Sequence, residues 1–224
     1  MKLKFVLVDL DGTLIDNRRL EAEVLRQFYQ KISKKLKISK KRAKEIFWKI
    51  GKELEGKKEW YDWRIYSNKL KLGDFWKNAY KKALKYLKVR KEAKKFLKGV
   101  KKLGLKPVIV SNAIKEVVNW KVEKAKLSKF IFKRFSQDDT KCCKKEVKYF
   151  RIILRKLRVK PKEVLLIDNS VESIKSARRL GIKTILIKKF EHSKYYLKES
   201  KKVKSDYEVK NLVQALKIIK SLAC

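Results

Sequence analysis

The chain has 224 residues, enough for one domain with an insertion and for a sizeable buried core. Its 64 Lys and Arg against 24 Asp and Glu give a net charge of +40, which predicts attraction to polyanions, phosphorylated small molecules and nucleic acid among them, and says nothing of fold. No apolar run is long enough to cross a bilayer, and no signal peptide is expected before the first strand.

A lone histidine, His192, argues against Ser-His or Cys-His catalysis and reads as a surface residue in a basic loop. Cys142, Cys143 and Cys224 fit neither a disulfide framework nor a zinc motif, so a reducing, cytoplasmic location is expected. The densest basic runs, residues 31–44, 91–102 and 188–204, read as solvated faces.

In chain order, residues 3–8 form an apolar run that reads as a buried strand. It empties into Asp9-Leu10-Asp11-Gly12-Thr13-Leu14, two acids one residue apart and then a glycine. Taken alone, this is a common strand-to-turn exit. In an open parallel sheet, however, ligands bind just beyond the carboxyl ends of the strands. Leu20, Val24, Phe28, Ile32 and Leu36 then recur every four residues, the stripe of a long helix. Ser39 is placed to cap a second helix carrying Ile46, Phe47, Ile50 and Leu54, which ends near Gly56. A third is expected through Trp60, Trp63, Tyr66 and Leu70, and a fourth, after Gly73-Asp74, through Trp76, Ala79, Tyr80, Ala83 and Leu87. Residues 17–90 therefore read as a helical block without strands. Its four tryptophans are expected to form its small core, the alternative being that some face a cleft.

From residue 91 the pattern alternates. A helix through Ala93, Phe96, Leu97, Val100 and Leu103 stops at Gly104, and a strand through Val108, Ile109 and Val110 ends at Ser111-Asn112. A helix over residues 115–126, a strand over 130–135 and a helix through Val147, Phe150, Leu154 and Leu157 follow. Val164-Leu165-Leu166-Ile167 ends at Asp168-Asn169; a short helix reaches Gly181, a fifth strand spans 184–187 and a last helix 212–222. The expected fold is α/β: a three-layer, Rossmann-like parallel sheet with an inserted α-helical domain. Three strand ends carry polar pairs, and all three fall on one edge of such a sheet.

Four of these motifs, in this order, resemble those of the haloacid dehalogenase-like hydrolases. They are the Asp9–Leu14 stretch, the strand ending in Ser111, Lys144 six residues before Phe150, and the strand ending in Asp168. The resemblance spans nearly the whole chain and implies a core of residues 1–16 and 91–224 with a helical cap of residues 17–90.

The resemblance also implies a phosphatase. Asp9 would be the nucleophile that forms an aspartyl-phosphate, and Asp11 the general acid and base. Ser111 and Lys144 would serve the phosphoryl group and the nucleophile, and backbone N–H groups at Leu10, Gly12 and Asn112 would cradle phosphate oxygens. Asp9, Asp11, Asp168 and Asn169 would hold Mg2+. The expected partner is a small phosphorylated metabolite, with nonspecific nucleic-acid binding from net charge. The alternatives are a nucleotide or nucleic-acid end phosphatase, or a basic polyanion-binding module with a weakened site. Three departures stand out. Lys145 replaces a frequent proline, which makes Lys141 a rival to the favoured Lys144. Asn169 is neutral where one branch has a second acid. Ser173 stands where many members carry an acid.

Overall fold

The computed structural model describes residues 2–188 and 205–223. Its first half runs β1 (Phe5–Asp9), β2 (Ile15–Asp16), α1 (Arg18–Leu36), α2 (Lys40–Leu54), α3 (Trp63–Lys69), α4 (Phe75–Ala83), β3 (Lys88–Val89), α5 (Ala93–Lys102) and β4 (Lys106–Val110). The second half runs α6 (Lys115–Lys124), β5 (Lys133–Phe135), α7 (Gln137–Thr140), α8 (Val147–Leu157), β6 (Val164–Asp168), α9 (Val171–Arg178), β7 (Lys183–Ile187), β8 (Tyr207–Val209) and α10 (Leu212–Ala223). His192, Cys224 and nearly all of the 188–204 basic run lie outside the described residues.

Six strands form one parallel sheet in the order β5-β4-β1-β6-β7-β8. Successive side chains of a strand point to opposite faces. Val6 and Val8 pack with α5 and α10 on one face, while Phe5 and Leu7 pack with α8 and α9 on the other. Both faces are covered, so these strands read as continuous apolar runs rather than alternating ones.

The helical block forms because α1 carries Leu20, Val24, Phe28 and Ile32 on one buried stripe. Lys37, in the left-handed region, ends that helix, and the Ser39 side chain accepts from the Arg42 N–H at 3.2 Å to start α2. The stripe packs against Phe47, Trp76 and Tyr80, and the cluster continues onto Ile114 and Val117 at the start of α6. Trp76 of α4 meets Trp120 of α6 at 5.7 Å between ring centroids. Arg64 of α3 reaches Asp138 of α7 at 2.7 Å. The block is therefore docked on the sheet domain through both packing and an ion pair.

Four expectations need correction. The third helix is not continuous: a 3-10 turn over Lys58–Tyr61 precedes α3, and Asp62 separates them by accepting from the Arg64 N–H at 2.9 Å. The strand expected over 130–135 is a 3-10 turn at Ser128–Phe130 followed by the three-residue β5. The inserted block is not strandless, because β2 and β3 pair antiparallel where the chain enters and leaves it. Finally, β8 is a sixth strand of the sheet that the sequence reading lacks.

Candidate active site

Because β1 lies between β4 and β6, the carboxyl ends of these three strands are neighbours. Asp9 ends β1 and Asp168 ends β6, while Ser111 and Asn112 follow β4. The loop between α7 and α8 brings Lys144 among them. Its Nζ donates to Asp9 Oδ1 at 2.5 Å and to Asp168 Oδ2 at 2.8 Å, and all three side chains are almost wholly buried. Its backbone N–H donates to Asn112 Oδ1 at 2.7 Å, which ties that loop to the end of β4. Asp168 Oδ1 accepts from the Ser170 N–H at 2.8 Å. The buried Tyr149 hydroxyl accepts from the Ser111 N–H and donates to the Ser111 carbonyl, each at 3.1 Å. Ser111 Oγ accepts from the Ala113 N–H at 3.1 Å.

Of the two rival lysines, Lys144 lies among the acids and Lys141 does not. Lys141 caps α7 in the left-handed region, with φ 58°, and points to solvent. Burial pushes the Asp9 carboxyl up to about 7; Lys144 pulls it back down, and Asp168 adds to the rise. Burial works against the Lys144 charge, yet Asp168 and Asp9 outweigh it and hold the ammonium above the ordinary lysine value.

Asp11 belongs to the same cluster through a residue that sequence reasoning missed. Lys121 of α6, 1% exposed, places Nζ 2.5 Å from Asp11 Oδ1 and 4.0 Å from Glu21 Oε1 of α1. The same ammonium lies 5.7 Å from the centroid of the Tyr80 ring of α4. Burial disfavours its charge, but Asp11 first, then Tyr80 and Glu21, hold it above the ordinary lysine value. The available signal was a lysine four residues after Val117 and three after Val118, on the buried side of its helix.

Two of the expectations concern backbone groups. The Gly12 N–H donates to the Ile15 carbonyl at 2.7 Å, so the expected phosphate-cradling role for this amide is corrected. Gly12 serves instead by adopting φ +87°, which favours glycine, as the loop turns. Leu10 is fully buried in the sheet core, where its carbonyl accepts from Leu14 and Ile15. Asn169 Oδ1 accepts from Thr13 Oγ1 at 3.1 Å. Ser173 is buried behind the Ser170 turn and does not line the cavity.

The cavity so formed has a volume of about 330 Å³. Asp9, Asp11, Ser111, Asn112, Lys144, Asp168 and Asn169 form its floor, and residues of α1 to α4 form its roof. Among the described residues no three His, Cys, Asp or Glu side chains form a metal cage. The floor instead offers the Asp9 and Asp168 carboxylates and the Asn169 amide oxygen. Mg2+ takes one or two carboxylates and completes its shell with water and phosphate oxygens, so this hard-oxygen donor set fits it.

A family model described as haloacid dehalogenase-like hydrolase matches residues 6–187. A protein of Caldanaerobacter subterraneus subsp. tengcongensis, provisionally named pyrophosphatase PpaX, is 28% identical over 98% of this chain and 96% of its own. The crystal structure of a HAD phosphatase from Thermococcus onnurineus superposes with a TM-score of 0.86 at 26% identity, covering 97% of this chain and 98% of that one. The L-2-haloacid dehalogenase of Xanthobacter autotrophicus shares the fold, with a TM-score of 0.67 at 16% identity over 98% of this chain and 99% of that one.

Proposed function

The chain belongs to the haloacid dehalogenase-like hydrolases, and from that membership we propose that it is a Mg2+-dependent phosphatase of small phosphomonoesters. Asp11 carries this reading: an acid two residues beyond Asp9, lining the same cavity. Loss of a halide needs no proton, whereas loss of an alkoxide does. An acid at this place therefore favours phosphate-ester cleavage over dehalogenation.

An Asp9 oxygen attacks phosphorus, the P–O bond to the alcohol breaks, and Asp11 donates its proton to the departing oxygen. Water then attacks the phosphorus of the aspartyl-phosphate. Asp11 takes up the proton of that water, and inorganic phosphate leaves with the Asp9 carboxylate restored. Lys144 aims Asp9 and offsets its charge as the anionic ester approaches. Lys121 holds the Asp11 carboxyl in place through its contact with Oδ1. Ser111 Oγ and the Asn112 N–H are the donors for phosphoryl oxygens. Asp9, Asp168, Asn169 and an Asp11 oxygen would hold Mg2+, which would supply Lewis-acid neutralisation of those oxygens.

Asp9→Asn is expected to abolish phosphate release from an aryl phosphate, and retained turnover in a clean preparation ends the nucleophile assignment. A reducing cytoplasmic setting is supported by the buried, unbridged Cys142 and Cys143. No helix among the described residues is long and apolar enough to cross a membrane. The charge of +40 supports weak, salt-sensitive nucleic-acid binding as a separate property of the surface.

A further inference from the structure

The cavity differs in charge from the rest of the molecule. At the chain's own composition, 64 Lys and Arg in 224 residues, its 21 lining residues would include about six cations. Among the described residues it has two, Lys121 and Lys144, against four acids, Asp9, Asp11, Glu21 and Asp168. Both lysines are already engaged: Lys144 bridges Asp9 and Asp168, and Lys121 holds Asp11. Beyond the Mg2+ that would serve the phosphoryl group, a second phosphate or a carboxylate on the substrate would meet no uncommitted cation among the described lining residues, and burying an unpaired charge is costly.

The roof is aromatic. Seven aromatic side chains line it, among them Trp48, Trp60, Trp63 and Tyr80. The tryptophans of the helical block divide into two groups. Trp76 is 2% exposed and packs on Trp120, as a structural residue should. Trp48, Trp60 and Trp63 pack against the same core but are only half-buried, and their remaining surface lines the cavity. Trp48 and Trp60 sit 6.1 Å apart at 43°, too tilted to stack fully on each other. Leaving indole surface wet forgoes a large apolar burial, and a flat ligand ring recovers it.

We propose that the substrate is a phosphate monoester whose alcohol carries a planar aromatic or heteroaromatic ring and no second anionic group. This rests on the phosphatase reading above and narrows it: the phosphoryl group sits on the acid-and-lysine floor, and the ring packs under the Trp48, Trp60 and Trp63 roof. It sets this chain apart from a pyrophosphate-cleaving enzyme, the activity in the name of its Caldanaerobacter relative.

The test compares kcat/KM of the Mg2+-loaded full chain on 2-phenylethyl phosphate and propyl phosphate, two unactivated esters differing in the ring. Pyrophosphate and 2-phosphoglycolate serve as comparators that carry a second anionic group. At least about a tenfold preference for the ring is expected, with the comparators below both esters. Trp60→Leu is expected to shrink the preference chiefly through KM; Tyr61→Ala, in the same turn and more exposed, repeats the test should that variant not fold. In Asp9→Asn protein, 2-phenylethyl phosphate is expected to alter tryptophan emission at lower concentration than propyl phosphate. Equal turnover of the two esters, or pyrophosphate as the best substrate, overturns the inference and leaves the phosphatase reading standing. Absence of phosphate release from every ester overturns the phosphatase reading and the inference with it.

Discussion

Lys144→Met removes the ammonium that joins the two buried acids at the strand ends. Methionine is unbranched like lysine but brings no charge and no donors. The lysine makes bonds of 2.5 Å to Asp9 and 2.8 Å to Asp168, whose side chains are 5% and 0% exposed. Breaking such a buried pair by removing one partner costs roughly 3–5 kcal/mol. For a chain of this size each kcal/mol shifts Tm by about 2–4 °C, so a drop of roughly 6–20 °C is expected.

The pH dependence has a definite sign. Asp9 is already raised from 3.8 to about 7 by burial, with Lys144 restraining the rise. Without the lysine the folded-state value climbs further. An acid whose folded pKa lies above its unfolded pKa gives stability that is lost as pH rises. The gap in Tm between variant and wild type should therefore be wider at pH 8 than at pH 5. Calorimetric melts of chelator-treated protein at the two pH values read this directly. Added Mg2+ should restore more Tm to the variant than to wild type, and phosphate release should fall by at least about 100-fold. A variant that melts within a degree or two of wild type at pH 8 and turns over normally refutes the role given to Lys144.

Asp11→Asn should slow hydrolysis of an alkyl phosphate by about 10²–10⁴-fold, and of 4-nitrophenyl phosphate far less, because that phenolate leaves without a proton; equal losses on both esters count against Asp11 as the acid. In chelator-treated wild type, the Asp9 contribution to stability should decline from about pH 4 to about 7, since its value rises from 3.8 unfolded to about 7 folded. Asp9→Asn should flatten that part of the Tm profile, and an unchanged profile argues against the buried, raised carboxyl. Gly12→Ala forces a side chain into φ +87° and should cost about 1–2 kcal/mol, a loss of several degrees in Tm; an unshifted melt denies the turn its strain.

What the sequence makes legible follows from burial. The long strands are covered on both faces, so their apolar runs stand out against a Lys-rich chain, and the acids at their ends mark one edge. The pairs β2 and β3 have two residues each, too few to show any period. Asp62 breaks the expected third helix by accepting from its N-terminal N–H, and that break separates Trp60 from the stripe of α3. The core and the cleft expected as alternatives for the tryptophans are not exclusive: Trp48, Trp60 and Trp63 pack against the core of the block and also line the cavity. Lys121 was hidden for a different reason: among 64 basic residues, one lysine on the buried side of a helix carries little contrast. The Gly12 amide was misassigned because its acceptor, the Ile15 carbonyl, is brought to it only by the folded loop.

The charge of the whole chain and the charge of the cavity act at different distances. At about 0.1 M salt the Debye length is about 10 Å, so the field of +40 reaches an approaching anion but is screened by added salt. Within the cavity the decisive contacts are the buried Lys144 and Lys121 bridges at 2.5–2.8 Å, which salt screens far less. Encounter should therefore be sensitive to ionic strength and chemistry insensitive. For an anionic ester at saturating Mg2+, kcat/KM should fall as KCl rises while kcat stays level. If kcat falls in step with kcat/KM, surface lysines take part in the chemical step, and the division between a basic exterior that gathers anions and an acid-rich cavity that selects among them is wrong.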